Sequence, residues 1–178
     1  FEINRGLMSF FGFPTYGVHC NGWIIEDKKT YLFLAKRSQK LNTFPGLYDN
    51  LIGGGQPSNI SLKDNLLKEG FEEVGLSKSI LFNAYFNTFT KYSHTYNGKL
   101  NSSVIATYDL ELSKDFIFKS EDGEVEKVEK FRISEVFSLI KKNQIKPNCI
   151  IPIINFMLNK MPNFFNKNAL LEIEKYLI

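Results

Sequence analysis

The sequence lacks the features that mark disulfide-stabilised, membrane-spanning and nucleic-acid-binding proteins. Its 178 residues include only two cysteines, Cys20 and Cys149, which predicts buried free thiols in a reducing compartment rather than a disulfide framework. The longest apolar run, from Cys149 to Leu158, is too short to span a bilayer and contains Pro152. The net charge of +3 is mild, and no run of Lys and Arg stands out, which argues against a nucleic-acid partner.

No secretory signal is recognisable at the start of the chain, so we expect a cytoplasmic protein without a membrane partner. The chain begins with Phe1 rather than Met, which suggests a fragment of a longer protein and leaves any upstream targeting signal out of view. A hydrophobic fraction of 43% is enough for a buried core. We predict one domain over residues 1–178, with a C-terminal helical extension at 143–178.

The pattern of apolar and polar residues predicts an α+β fold with a mixed sheet between helices. His19–Ile25 and Thr30–Ala35 are rich in β-forming residues and are separated by a polar turn, which predicts a hairpin. Further strands are predicted at 79–90, 102–111 and 126–133, and 48–52 is a short apolar segment that runs into the glycines Gly53–Gly55. Helices are predicted at 134–142, at 152–159 with Pro152 in the first turn, and at 168–177.

One further helix follows the glycines Gly53–Gly55. Ser61 and Asp64 have the form of a capping box that begins this helix, and Gly75 supplies a stop near Val74. The helix is rich in carboxylates, and its length of about three turns is enough to present them on one face.

The glutamates of this helix, Glu69, Glu72 and Glu73, are spaced i, i+3 and i+4 and therefore share a face. Like charges at these spacings destabilise a helix by roughly 0.2–0.5 kcal/mol per pair, whereas a shared divalent cation reverses the sign. Mg²⁺ or Mn²⁺ suits such oxygen ligands, together with the phosphates of a substrate. The alternative is a solvated acidic face without a ligand.

The spacing from Gly54 onward resembles the Nudix hydrolase signature: Gly, five residues, Glu, seven residues, Arg-Glu, an aliphatic residue, any residue, Glu-Glu, any residue, Gly and an aliphatic residue. This resemblance implies an α/β/α sandwich whose loop–helix–loop carries Mg²⁺ or Mn²⁺ at a small-molecule diphosphate substrate. Three residues depart from the signature. Ile60 replaces its first Glu, Lys68 replaces Arg and lacks the bidentate fork, and Gly70 replaces an aliphatic residue at a cost of up to about 1 kcal/mol of helix propensity.

The resemblance extends to the Nudix branch named for thiamine pyrophosphokinase, and this implies hydrolysis of thiamine diphosphate, or of a damaged analogue, to the monophosphate. The glycines lack the Lys and Ser/Thr of a nucleotide-binding Walker loop, so the branch name does not indicate kinase activity. The matching stretches are 11–12, 17–22, 37–40, 45–50, 108–112, 122–126 and 146–149.

Metal-binding and catalytic roles follow from the signature. Glu72 and Glu73 are expected to be metal ligands, and Glu73 is also expected to be a catalytic residue. Glu69 is expected to be either a ligand or the base that activates water. A carbonyl of Gly53 or Gly54 is a further ligand, unless these glycines only form a tight turn. Glu124 is our candidate for an additional catalytic acid from outside the signature, and its alternative is a residue of a surface turn.

Substrate-binding roles are assigned to five residues, each with a structural alternative. Arg37 and Lys40 are candidates to bind the diphosphate, or else are solvated charges. Asp49 would position a positive ring of the substrate or cap its own loop. His19 and Asn21 lie near the strand that would begin the substrate pocket, and a lone histidine is often structural.

Three other functions compete with this interpretation. An isomerase of the same fold, which uses a cysteine near the loop and a histidine-rich metal site, is disfavoured because Asp49–Ile52 occupies that loop and the chain has only His19 and His94. A binding module without turnover is compatible with the departures at Ile60, Lys68 and Gly70. A housecleaning hydrolase of nucleoside or nucleotide-sugar diphosphates fits the signature equally well. The sequence does not indicate the oligomeric state.

Overall fold

The computed structural model describes residues 2–96 and 98–175. Within these ranges a short 3₁₀ turn precedes six helices and seven strands that form one sheet. None of the described helices is long and apolar enough to cross a membrane. The strands are β1 (Thr15–Glu26), β2 (Lys29–Arg37), β3 (Tyr48–Asp49), β4 (Ile52–Gly55), β5 (Tyr85–Tyr96), β6 (Lys99–Glu111) and β7 (Val125–Arg132). The helices are α1 (Met8–Phe11), α2 (Leu62–Val74), α3 (Lys78–Leu81), α4 (Ile133–Lys141), α5 (Pro147–Lys160) and α6 (Lys167–Glu174).

Strand β1 is central to the sheet and changes neighbours along its length. Residues 17–20 pair with β4 and residues 22–26 pair with β2, both in antiparallel orientation. The other edge of β1 pairs with β6 in parallel, which makes the sheet mixed as predicted. Asn21 lies at the fork between β4 and β2, where its Oδ1 accepts a hydrogen bond from Asn50 Nδ2 at 2.8 Å. This side-chain bond ties β1 to the β3–β4 connection at the point where backbone pairing changes partner.

Two apolar cores lie on opposite faces of the sheet, which confirms the predicted sandwich of helices around a sheet. Successive side chains of a strand point to opposite faces, so β1 contributes Val18 and Cys20 to one core and Trp23 to the other. Helix α2 covers the first core. Helices α4 and α5 cover the second core, and α5 belongs to the predicted C-terminal extension. Its buried side chains there are Cys149, Ile153, Phe156 and Met157.

The ends of α2 agree with the sequence prediction. Ser61 has an extended backbone, and its hydroxyl oxygen accepts a hydrogen bond from the Asp64 N–H at 3.0 Å. The Asp64 carboxylate in turn accepts from the Ser61 hydroxyl at 2.6 Å. At the other end Gly75 has a left-handed backbone with φ of 71°, which a residue with a Cβ adopts only with strain. The caps therefore fix the register of the carboxylate helix.

Several element boundaries differ from the prediction, and among the starts those of β5 and α5 differ most. The strand predicted from residue 79 begins only at Tyr85, because Lys78–Leu81 forms α3 and one helical turn buries Leu81 in the first core. Helix α5 begins at Pro147 rather than near Pro152. Proline is well suited to the first helical position because it needs no N–H partner there, and Pro152 then lies inside the helix. The predicted last helix ends at Glu174, and residues 176–177 of that prediction lie outside the described ranges.

Gly70 is explained by packing rather than by helix propensity. A Cβ at this position would lie 2.7 Å from Leu81 Cδ2 and 2.9 Å from Ile52 Cδ1, closer than carbon atoms approach without repacking. We expect Gly70→Ala to destabilise the protein by about 1 kcal/mol, because overpacking costs of about 1–3 kcal/mol outweigh a propensity gain of up to about 1 kcal/mol. Urea denaturation followed by circular dichroism measures the difference, and a more stable variant would contradict this account.

Candidate active site

The glycines of β4 and the glutamates of α2 meet at one end of a large cavity. Glu73 is only 6% exposed, and its Oε2 accepts a hydrogen bond from the Gly53 N–H at 2.9 Å. Glu69 lies against Gly54 so closely that a Cβ at residue 54 would be 2.3 Å from Glu69 Cδ. Glycine at position 54 is therefore required for this contact, and the backbone of β4 approaches both carboxylates.

Burial and neighbouring carboxylates raise the pKa of Glu69 and of Glu73. Burial raises the pKa of Glu73 well above its usual value. The hydrogen bond from the Gly53 N–H lowers this pKa, whereas the charges of Asp49 and Glu69 raise it further. Burial also raises the pKa of Glu69, with Lys68 opposing it and Glu72 and Glu124 adding to it. Unfavourable clustering of desolvated carboxylates is the arrangement that a divalent cation would stabilise. The residues present therefore fit Mg²⁺ or Mn²⁺.

Lys68 contacts the two outer carboxylates of this set. Its Nζ is 2.8 Å from Glu72 Oε2 and 3.3 Å from Glu69 Oε1. These are single contacts to separate carboxylates, which a flexible ammonium makes in place of a bidentate guanidinium fork. Glu72 is the most exposed of the three glutamates, so its carboxylate borders the open part of the cavity.

The cavity has a volume of about 950 Å³. Its other walls come from β1, β5 and β6, from the end of β2 with the loop that follows it, from the loop before β7, and from the start of α5. Three predicted substrate ligands are not among the described residues that line the cavity: Lys40, Asp49 and Asn21. Their contacts with substrate stay predictions. The predicted site residues that line the cavity are Gly53, Gly54, Glu69, Glu72, Glu73, Glu124, Arg37 and His19.

The loop that carries Glu124 is attached to the end of α2. The Glu121 N–H donates to the Glu72 carbonyl at 2.8 Å, and the Glu124 N–H donates to Asp122 Oδ1 at 2.8 Å within the loop. The Glu124 carbonyl also accepts from the Ser38 N–H at 2.8 Å. The loop thus holds Glu124 over the carboxylate helix, where its charge acts on Glu69.

Asp49 is buried and bonded within the protein. Its Oδ2 lies 3.1 Å from Arg37 Nη1 and 2.7 Å from Lys146 Nζ. Its Oδ1 accepts from the Cys149 thiol at 2.7 Å and from the Asn50 N–H at 2.9 Å. Two cations and one carboxylate leave a surplus positive charge in the wall of the cavity, because Arg37 and Lys146 both line it.

Lys146 lines the cavity but was not among the predicted site residues, although it lies in a stretch that carries the sequence resemblance. The sequence feature that could have indicated Lys146 is its position directly before Pro147, where a helix begins. Nothing local to Lys146 predicts that α5 brings its ammonium to Asp49, which is 97 residues away in the chain.

His19, Asp49 and Cys149 form the one buried group of possible metal ligands found among the described residues, with ligand atoms within 4.8 Å of one another. This group does not fit a cation, because Arg37 and Lys146 already bind Asp49. Burial raises the pKa of the Cys149 thiol well above its usual value, with Asp49 adding to the effect, so the thiol stays a hydrogen-bond donor. The glutamates of α2 are the better cation site.

The ion pairs of Asp49 predict an acid-sensitive stability. Burial alone would raise the pKa of Asp49, but the charge of Lys146 and the Cys149 hydrogen bond hold it well below its usual range. A carboxylate whose pKa is depressed in the folded state stabilises the protein at pH values above its unfolded-state pKa of about 3.9. This stabilisation is lost as the pH falls below that value. We expect Asp49→Asn to cost about 2 kcal/mol at pH 7 and progressively less below about pH 4, as measured by urea denaturation across pH. A difference that does not depend on pH would contradict the ion-pair account.

Comparisons with known proteins identify the family. The NUDIX domain family matches residues 16–152. The chain is 39% identical to Nudix hydrolase 20, chloroplastic, of Arabidopsis thaliana and 34% identical to Nudix hydrolase 24, chloroplastic, of the same plant. Both matches cover 88% of this chain, which spans only 42% and 43% of those relatives.

The fold is also found among solved structures. The NUDIX domain of NrtR from Shewanella oneidensis, in a cocrystal with ADP ribose, superposes with a TM-score of 0.57 at 15% identity, covering 76% of this chain and 88% of that one. At this identity the likeness concerns the fold alone. The family match extends from β1 into α5 and includes β4, α2 and the loop of Glu124. The chain therefore belongs to the Nudix domain family.

Proposed function

We propose that the chain hydrolyses a diphosphate bond in a small molecule that binds in the 950 Å³ cavity. The observation that carries the proposal is the convergence of Glu69, Glu72 and Glu73 with the backbone of Gly53 and Gly54 at one end of that cavity. Membership of a family whose named relatives are Nudix hydrolases supports the same reaction.

Each group in the wall has a task in this reaction. Glu72, Glu73 and a carbonyl of Gly53 or Gly54 would hold Mg²⁺ or Mn²⁺, with Glu69 either a further ligand or the base. A bound cation would neutralise the diphosphate and make a neighbouring water more acidic. Glu69, whose pKa is raised by burial, is suited to accept the proton of the attacking water, and Glu124 is the second candidate. Water adds to one phosphorus while the bridging P–O bond breaks.

The positive wall formed by Arg37 and Lys146 would bind the second phosphate. Three N–H groups of Arg37 are used by Asp49 and by the carbonyls of Thr43 and Phe44, which holds its guanidinium in place. The Lys146 ammonium is fixed by Asp49. Positioned cations of this kind stabilise charge that develops on a leaving phosphate.

For the substrate, we propose thiamine diphosphate or a damaged analogue, cleaved to the monophosphate, on the basis of the sequence resemblance. A housecleaning role towards nucleoside or nucleotide-sugar diphosphates is the second candidate, favoured by the ADP ribose bound to the similar NUDIX domain of NrtR. A catalytically weak binding protein is the third, because Ile60, Lys68 and Gly70 depart from the signature. The cytoplasmic location also stays a prediction, and the two plant relatives are named as chloroplastic.

A phosphate- and monophosphate-release screen tests the proposal. The panel contains thiamine diphosphate, oxidised thiamine diphosphates, ADP-ribose, UDP-glucose and nucleoside diphosphates, each with Mg²⁺ or Mn²⁺ and with a chelator. We expect turnover that depends on the cation. Turnover of nucleotides alone would overturn the thiamine assignment, and no turnover of any compound would overturn hydrolysis.

A further inference from the structure

His19 lines the cavity although only 4% of its surface is exposed. It lies on β1, paired with Gly53 of β4 on one side and with Thr107 of β6 on the other. Its Nδ1 is turned inward, 2.7 Å from Asn50 Oδ1. With Nδ1 occupied, the ring nitrogen that remains for a ligand is Nε2. Whether Nε2 donates or accepts a hydrogen bond depends on where the ring proton lies.

A chain of buried amides settles the position of that proton. Asn21 Nδ2 is 3.0 Å from the Pro152 carbonyl and 2.8 Å from Asp109 Oδ1. A carbonyl only accepts hydrogen bonds, so this atom of Asn21 is its nitrogen, and Asn21 Oδ1 is free to accept. Asn21 Oδ1 accepts from Asn50 Nδ2 at 2.8 Å, which leaves the Asn50 oxygen facing His19.

The Asn50 oxygen can only accept, so His19 Nδ1 carries a hydrogen. Its other ring nitrogen, Nε2, then has a lone pair whenever the imidazole is neutral. No partner for Nε2 is found among the described residues, and Thr107 does not supply one, because its buried hydroxyl has no hydrogen bond of its own.

A second proton on the ring would need a carboxylate to balance it. The carboxylate that approaches the ring is that of Asp49, with Oδ1 at 3.9 Å from Nδ1. Asp49 is already bonded to Arg37, Lys146, Cys149 and the Asn50 N–H. Two cations share that single carboxylate, so the surroundings do not favour a third positive charge.

We propose that His19 Nε2 is a fixed hydrogen-bond acceptor in the cavity wall, and that the substrate presents an N–H or O–H donor to it. The proposal deepens, and rests on, the proposed hydrolysis of a diphosphate. It requires a substrate whose organic part carries amino or hydroxyl groups, such as a nucleoside, a sugar or an aminopyrimidine, and disfavours alkyl diphosphates. The amide chain of Asn21 and Asn50 sets the direction of the hydrogen bond.

The tautomer is tested by ¹⁵N NMR of the histidine side chains in the intact chain. The sequence contains only His19 and His94, so a His94→Gln variant assigns the signals. We expect the His19 Nδ1 shift to be that of a protonated nitrogen and the Nε2 shift to be that of an unprotonated one at pH 7.5. We expect Asn50→Leu to abolish this single-tautomer pattern. A protonated Nε2 in the wild-type chain overturns the proposal, whether or not the protein is active.

Recognition is tested with ADP-ribose and thiamine diphosphate, which carry donors, against isopentenyl diphosphate, whose organic part has none. We expect His19→Phe to raise KM about tenfold for the donor-bearing compounds and to leave that of isopentenyl diphosphate unchanged. His19→Gln should recover most of the loss, because its amide can donate to Asn50 and accept from substrate. Equal loss for both classes overturns the proposal.

Failure of the inference is distinguishable from failure of the proposed function. If no diphosphate is turned over, hydrolysis is wrong, and calorimetric binding of ADP-ribose, thiamine diphosphate and isopentenyl diphosphate to wild type and His19→Phe replaces the kinetics. A wild-type preference for donor-bearing compounds that the variant lacks supports the role of His19. The same affinity for all three compounds in both proteins overturns it.

Discussion

Replacing Glu73 with glutamine is expected to lower kcat/KM by more than about a hundredfold. Glutamine keeps the size of the side chain and can still accept from the Gly53 N–H, but it removes the negative charge that would bind the cation. Changes in groups that only support a metal site typically cost about 10- to 100-fold, and a direct ligand contributes more. Steady-state kinetics with the substrate found in the screen, over a range of Mg²⁺ concentrations, measures the loss.

The same variant is expected to be at least as stable as the wild type when no cation is present. Burial raises the pKa of Glu73, so ionisation of this side chain costs stability as the pH rises through its folded-state value. The stability difference in chelator should therefore favour Glu73→Gln at pH 8 and shrink towards acidic pH. This opposite effect on activity and stability separates a functional carboxylate from a structural one.

Glu111→Gln is the matched control, because Glu111 is an exposed glutamate at the end of β6 and does not line the cavity. Both its activity and its stability should stay close to those of the wild type. Retention of full activity by Glu73→Gln, at saturating and limiting Mg²⁺ alike, would refute the assignment of this residue as a ligand.

Replacing Phe156 with alanine is expected to destabilise the protein by about 3–5 kcal/mol. The Phe156 side chain is fully buried in the second core, and its ring centre lies 5.8 Å from that of Trp23. Neighbouring side chains from α5 and the sheet enclose it, so the vacated volume collapses only partly. Urea denaturation monitored by circular dichroism gives the change in the free energy of unfolding.

The control for this prediction is Leu171→Ala on α6, where the side chain is about half exposed and the cost should be below about 1 kcal/mol. A loss below about 1 kcal/mol for Phe156→Ala as well would mean that α5 is not an integral part of the second core. The result also bears on the cavity, because α5 supplies Lys146 at its start and the Pro152 carbonyl that orients Asn21.

Local sequence was sufficient to predict the carboxylate helix. Ser61, Asp64 and Gly75 specify its two ends through short-range hydrogen bonds and a left-handed backbone, and these do not depend on distant residues. The spacing of its glutamates then determines a shared face, because the helical repeat is fixed. The start of β5 was not predictable in this way, since residues 78–81 become helical where Leu81 packs against Gly70.

The substrate side of the site depended on contacts between residues far apart in the chain. Arg37 and Lys146 meet at Asp49 across 12 and 97 residues, and sequence proximity suggests neither ion pair. For the same reason the sequence nominated Lys40, Asp49 and Asn21 as substrate ligands, whereas the cavity wall of the described residues contains Lys146 and none of these three. Their own roles towards substrate stay to be tested.

By itself the sequence predicted a mixed α+β domain and a face of three glutamates beside a glycine loop, because both depend on local periodicity and spacing. Its resemblance to the Nudix signature indicated the family. Only the tertiary structure decided which buried polar groups lie at the cavity wall. The direction of the bond between Asn50 and His19 follows from contacts that span 31, 29 and 131 residues. Sheet register and the packing of α5 bring these groups together, and neither can be read from any one segment of the chain.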